Sequence, residues 1–229
     1  MVSRRTREEH LERVRAWVRK YQPLIEQTTE VRLGDVEVKD LEDFHQDKHA
    51  YAFSRGVIEE GLDPIEALKI LKTREWLSMP KNRWSLMFDK TIMGYVNFTN
   101  AIYLNMRKEE HFSVSITIHE LSHGLWDKIS DIPQGRSSEE DEWSEGFAAY
   151  CQYQEFYNLY TKDDCVEGMG WLLNPHPDVA PYRRGFRKVS RAVIVDKIPL
   201  LEIPKRWREL EEKYPQENKL EAGDFLELV

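Results

Sequence analysis

Two cysteines, Cys151 and Cys165, are all that the 229 residues contain. That is too few for a disulfide framework, and they lack C-x-x-C spacing, so two reduced thiols are expected. No apolar run approaches the roughly 20 residues that a helix needs to span a bilayer, and no membrane partner is expected. The opening M-V-S-R-R-T-R-E-E-H is basic but is followed by no apolar stretch, so no secretory signal is expected and the cytoplasm is the expected compartment. Positive charge is short as well. Lys and Arg number 33 against 41 Asp and Glu, a net charge of −8, the wrong sign for a general grip on nucleic acid. Neither an internal repeat nor a low-complexity tract is present. What remains is the composition of an ordinary globular protein, long enough for one domain or two closely packed subdomains.

One stretch carries chemistry. Residues Thr117 to Asp127 read T-I-H-E-L-S-H-G-L-W-D, and His119-Glu120-Leu121-Ser122-His123 fits H-E-x-x-H. On a helix, residues four apart lie roughly 40° apart around the axis and about 6 Å along it, so both imidazoles can reach one ion. Glu120 is offset from His119 by about 100°, beside the ion rather than on it, where a carboxylate can take a proton from water. Zinc lowers the pKa of bound water from about 16 to roughly 7, which makes that proton available near neutrality. Val114, Ile118, Leu121 and Leu125 recur at helical spacing and can form a buried side. Phe112 to Ile118 also alternates apolar and polar, so a strand is the rival local reading there.

A catalytic zinc needs a third protein ligand and an open fourth position. The acids that can supply it lie in Glu142-Trp143-Ser144-Glu145-Gly146-Phe147-Ala148-Ala149-Tyr150, where Glu142 and Glu145 stand one turn apart on one face. The pairing H-E-L-S-H … W-S-E-G-F-A-A-Y resembles the gluzincin zinc metallopeptidases, in which a Glu on a following helix completes the site. The tract E-G-F-A is most similar to the aminopeptidase branch of that clan. The resemblance implies that Glu145 is the third ligand, with zinc as cofactor and a peptide or protein as substrate. A third tract, Pro181-Tyr182-Arg183-Arg184-Gly185-Phe186, resembles the P-Y-x-K-G segment of zinc aminopeptidases, whose Tyr hydroxyl stabilises the tetrahedral oxyanion. By that match Tyr182 is the electrophilic donor; the alternative is a core tyrosine at a helix start. His176 is a weaker alternative donor.

Around these tracts the chain is expected to be α+β: a zincin-like catalytic core over residues 81–196, with a helical flank over 1–80 and a helix and tail over 197–229. Residues 4 to 30 carry Leu11, Val14, Val18 and Tyr21 at helical spacing, ending or kinking at Pro23. Val36 and Val38 suggest a short strand after a turn at Gly34, and Asp40 to Gly61 a second helix in which His45 and His49 are read as solvated. Asp63-Pro64 opens a further helix, and Trp84, Leu86 and Phe88 alternate as in a strand. Two more short strands follow, Gly94 to Phe98 and Ala101 to Met106. In gluzincins the strand matching the second is an edge strand open to β-augmentation by a peptide; here it can equally be an ordinary sheet strand. Helices are expected from Ser138, from about Val179 to Val195, and from Pro204 to Tyr214.

Two departures from the family pattern bear on function. Zinc aminopeptidases hold the substrate amine with G-x-M-E-N, whereas Met93-Gly94-Tyr95-Val96-Asn97 lacks that Glu, so exopeptidase action is not implied. Ala149 stands where thermolysin-like relatives have the Asp that orients a zinc histidine, so the ligand supports must come from elsewhere, with Asp127 as one candidate. The expected function is zinc-dependent peptide hydrolysis; the alternatives are a non-catalytic zinc-binding, peptide-recognising protein and a latent enzyme whose apolar tail, Phe225 to Val229, fills the cleft.

Overall fold

The computed structural model describes residues 4–44, 92–130, 138–160, 172 and 179–214. The expected helices at 40–61 beyond Phe44 and at Asp63-Pro64 lie outside these residues, as do His45, His49, the Trp84–Phe88 strand, Cys165, His176 and the Phe225–Val229 tail. The chain divides into two compact units: residues 1–16 with 35–112, and residues 17–34 with 113–229. It is α+β, mostly helical with one small sheet. No helix among the described residues is long and apolar enough to cross a membrane.

Helix α1 (Arg4–Thr29) buries Leu11, Val14, Val18, Tyr21 and Ile25, the stripe that its periodicity predicts. It neither ends nor breaks at Pro23. That residue is exposed, so its ring meets solvent on the outer face, while Tyr21 and Ile25 on either side are buried and hold the helix through the one lost hydrogen bond. The helix stops at Thr29, where Glu30 takes φ 60° and Gly34 then takes φ 82°. The Glu26 carboxylate accepts from the backbone N–H of Leu33 at 2.9 Å and draws the chain back along the last turn.

The sheet belongs to the first unit. Strand β1 (Glu37–Asp40) pairs parallel with β3 (Ala101–Leu104), and β2 (Met93–Val96) pairs antiparallel with β3 on its other side, in the order β1-β3-β2. Asn97–Thr99 forms a single 3-10 turn between β2 and β3, closed by Asn100 in the left-handed region at φ 49°, a conformation that Asn tolerates. All four β3 residues are buried. Of the two readings of this strand, edge or ordinary sheet strand, the structure has the second, with β3 in the centre. With β1 and β2 occupying its two sides, its backbone groups are committed and closed to β-augmentation.

The second unit holds the helices of the three resembling tracts. Helix α2 (Val114–Ser130) is capped by Ser113, whose Oγ accepts from the N–H of Ile116 at 3.3 Å. The cap and the fully buried Ile118, Leu121 and Leu125 decide for helix over the rival strand. Helix α3 (Ser138–Tyr150) packs against α2 through Phe147, whose ring meets that of Trp126 at 5.5 Å. Full burial of a side chain such as Phe147 contributes about 1.5–3 kcal/mol. At its end α3 widens into a π-helical turn, Cys151–Glu155. Helix α4 (Ala180–Ser190) widens likewise into Arg191–Val195, and helix α5 (Ile203–Lys213) buries Ile203, Trp207 and Leu210.

Helices α3 and α4 meet backbone to backbone. A Cβ on Gly146 would lie 2.0 Å from the carbonyl carbon of Gly185, and one on Gly185 would lie 1.9 Å from the carbonyl oxygen of Glu142. Two glycines remove the side chains that normally keep helix axes 8–10 Å apart. Beside this seam a buried ion network ties three helices together. Lys188 Nζ lies 2.7 Å from Glu142 Oε1 and 2.6 Å from Glu211 Oε2, and Arg184 Nε donates to Glu142 Oε2 at 2.6 Å. Trp143 Nε1 donates to the same Glu211 oxygen at 2.6 Å. Removing one member of a buried pair strands its partner's charge, so Lys188→Met is expected to cost about 3–5 kcal/mol in urea unfolding. Glu211→Gln, which keeps an acceptor on a half-exposed position, should cost less.

Candidate metal centre

Helix α2 presents His119 and His123 one turn apart, and their rings meet edge to face at 4.8 Å. Helix α3 brings Glu145 against both. Three atoms converge: His119 Nε2 and Glu145 Oε2 at 3.1 Å, His123 Nε2 and the same Glu145 oxygen at 3.3 Å, and the two Nε2 atoms at 3.2 Å. A tetrahedral ion with ligands at roughly 2.0–2.1 Å holds them about 3.3–3.4 Å apart, so the observed triangle fits such an ion with little movement. The three residues form a group close enough to hold a metal ion, with both histidines buried and Glu145 about a quarter exposed on its side chain. The rival acid, Glu142, is not at this centre. Its two oxygens are held by Arg184 and Lys188 of α4.

The other nitrogen of each ring is also occupied. His119 Nδ1 lies 3.1 Å from Gln152 Oε1, and His123 Nδ1 lies 2.9 Å from Ser144 Oγ. A carbonyl oxygen can only accept, so His119 carries its proton on Nδ1 and turns the Nε2 lone pair toward Glu145. The Ser144 hydroxyl can accept from His123 in the same way. With both imidazoles neutral and protonated at Nδ1, the centre gathers three acceptors, an arrangement that a bound cation satisfies. Sequence reasoning named Asp127 for this supporting role and missed both partners. Each had a signal in the chain: Ser144 directly precedes Glu145, and Gln152 lies seven residues, about two turns, beyond it on the same face.

Burial opposes ionisation of Glu145, but positive charge on the adjacent His123 and His119 more than offsets it and holds the carboxyl well below the usual range. The group is an anion at neutral pH, as a metal ligand must be. Tyr182, from the first turn of α4, stands over His119 with ring centroids 6.1 Å apart. The Glu145 carboxylate, then burial, then Glu120 push its phenol far above its ordinary value. Tyr182 therefore keeps its proton throughout the neutral range and has an O–H to donate. Glu120 is buried, and its charge reaches Tyr182. Cys151, next to Gln152, is buried, and that burial pushes its thiol well up, so it is no nucleophile.

All five residues named from the sequence, His119, Glu120, His123, Glu145 and Tyr182, thus come together within one compact unit. The chain matches no family model, no curated protein and no solved structure.

Proposed function

We propose that this chain is a zinc-dependent metallopeptidase that hydrolyses peptide bonds, with α2 and α3 as a zincin-like unit. One observation carries the reading: His119 Nε2, His123 Nε2 and Glu145 Oε2 converge at 3.1–3.3 Å, with a buried carboxylate and a protonated phenol beside them. Two imidazoles and one carboxylate at this spacing suit zinc best among the common divalent ions. Zinc, when bound, supplies a Lewis acid that polarises the scissile carbonyl and brings the pKa of water to about 7. The chain's own groups divide the remaining work. The Glu120 carboxylate takes a proton from the attacking water and delivers it to the leaving amine. The Tyr182 O–H donates to the carbonyl oxygen as negative charge builds there. Glu145 and the two imidazoles hold the ion and take no proton.

Glu120→Gln is expected to keep zinc at the wild-type level and to lower peptide hydrolysis by about 10²–10⁴-fold, the usual contribution of a positioned general base. Tyr182→Phe should lower kcat by about 10²–10³-fold with little change in KM, because its hydrogen bond forms with the oxyanion and not with the ground state. Both are read from a mixed peptide library by mass spectrometry, followed by kinetics on the best cleaved member. Full activity in zinc-loaded Glu120→Gln would rule out the mechanism.

A zinc-binding protein without turnover is the second reading, and the missing amine-anchoring Glu in Met93–Asn97 favours it. The same library separates the two, since a binder retains peptides uncut.

A further inference from the structure

Gln152 is 3 % exposed and sits in the π-helical turn after α3, with both ends of its amide in use. Its Nε2 donates to Ser115 Oγ at 3.1 Å, and Ser115 Oγ in turn lies 3.3 Å from the capping hydroxyl of Ser113. With the nitrogen end held by Ser115, the oxygen end faces His119 Nδ1. Exchanging the two ends would require Ser115 to donate to the amide oxygen and His119 to carry its proton on Nε2. The N-terminal cap of α2 and the turn after α3 thus fix the orientation of one amide, and the amide fixes one ring.

We infer that Gln152 is a positioning residue that locks His119 in the Nδ1–H form, and that its neutrality tunes the centre toward weaker metal retention and stronger Lewis acidity. This rests on the metal reading above. A carboxylate behind a ligating imidazole raises the basicity of the ring and so tightens the ion's hold. Gln152 gives the same acceptor geometry without the charge. The centre already holds the Glu145 carboxylate, with the Glu120 carboxylate close by. A further buried anion would offset more of a divalent ion's charge and reduce its power to polarise a carbonyl. A buried amide is expensive unless bonded at both ends, and here both ends are bonded. A residue kept only to fill space needs no such pairing.

Two substitutions separate positioning from packing. Gln152→Met keeps the volume and removes the acceptor; Gln152→Glu keeps the acceptor and adds the charge that Gln152 withholds. The full chain is stripped with a chelator, and zinc affinity is measured by competition with a chromophoric chelator. Gln152→Met should bind zinc about 10–100-fold more weakly than wild type, the range for loss of a ligand's supporting hydrogen bond. Gln152→Glu should bind more tightly than wild type, and unchanged affinity would overturn the tuning by charge. A residue that only packs gives the reverse order, Met unchanged and Glu impaired by its buried charge, and that result overturns the inference while leaving the metal site intact. A wild type that takes up no zinc overturns both. Nitrogen NMR of the metal-free wild type tests the lock even where a variant fails to fold. His119 protonated at Nδ1 is expected, and protonation at Nε2 would sink the inference.

Discussion

Glu145→Ala is expected to strip the protein of its metal. Elemental analysis of the purified wild type should find about one zinc per chain, and the variant close to none. Two imidazoles one helical turn apart remain in Glu145→Ala, but they supply only neutral donors. The lost group is the sole anion among the three converging atoms, held ionised by His123 and His119. Loss of a partner that merely supports a ligand costs about 10–100-fold in affinity, so loss of a charged ligand itself should exceed that range. Glu142→Ala supplies the contrast. Its carboxylate bonds Arg184 and Lys188, so this variant should retain zinc while losing stability, since the buried Lys188 loses one of its two carboxylate partners. Zinc lost from Glu142→Ala and kept by Glu145→Ala would reverse the ligand assignment.

Gly185→Ala is expected to be the most damaging single methyl in the second unit. In most helices the change stabilises, since alanine is the better helix former by roughly 0.5–1 kcal/mol. Here the added Cβ would lie 1.9 Å from the Glu142 carbonyl oxygen, 2.8 Å from the Gly146 nitrogen and 2.9 Å from the Gly146 Cα. Those are backbone atoms of α3, which cannot turn aside as a side chain can. The helices must part, and the Glu142–Lys188 and Glu142–Arg184 bonds part with them. A loss above about 4 kcal/mol, the diagnostic tail for single substitutions, is expected from urea or thermal unfolding, with failure to fold as the extreme. Gly146→Ala meets the same seam from the other side, 2.0 Å from the Gly185 carbonyl carbon, and should behave alike. Either variant with wild-type stability would mean that α3 and α4 do not approach as described. The seam matters for chemistry because Tyr182 lies one turn before Gly185, and Glu145 directly precedes Gly146. Close approach of the backbones puts that phenol over His119.

The seam also shows where reading the chain stops. His119, Glu120 and His123 were legible because their relation is local. Four residues on a helix fix an angle and a rise whatever the surroundings, and Ser113 with the buried Ile118, Leu121 and Leu125 makes that stretch a helix. Glu145 was legible as an acid on the next helix, one turn from Glu142 on the same face, and the E-G-F-A resemblance together with its deeper position chose between them. The structure separates the two by what they touch: Glu145 meets two imidazoles, Glu142 two cations from α4. No pattern along α3 carries that difference, because it depends on which helix lies against each face.

The remaining differences have the same origin. Residues 101–104 were readable as a strand from their own composition, but their place in the middle of the sheet depends on a parallel partner some sixty residues earlier in the chain. Pro23 signalled a helix end, and buried Tyr21 and Ile25 overrode it. Gln152 was passed over because an amide has no reactivity of its own; it gains a role only where Ser115 holds one end and His119 receives the other. Among the described residues, the sequence by itself determined where most of the helices and the three short strands lie, and the two histidines with their neighbouring acid, since these follow from geometry within a few residues. Tertiary structure decided which acid meets the two histidines, which groups hold their other nitrogens, which ring stands over His119 and which strand is central, because each rests on which distant backbone comes within a few ångströms.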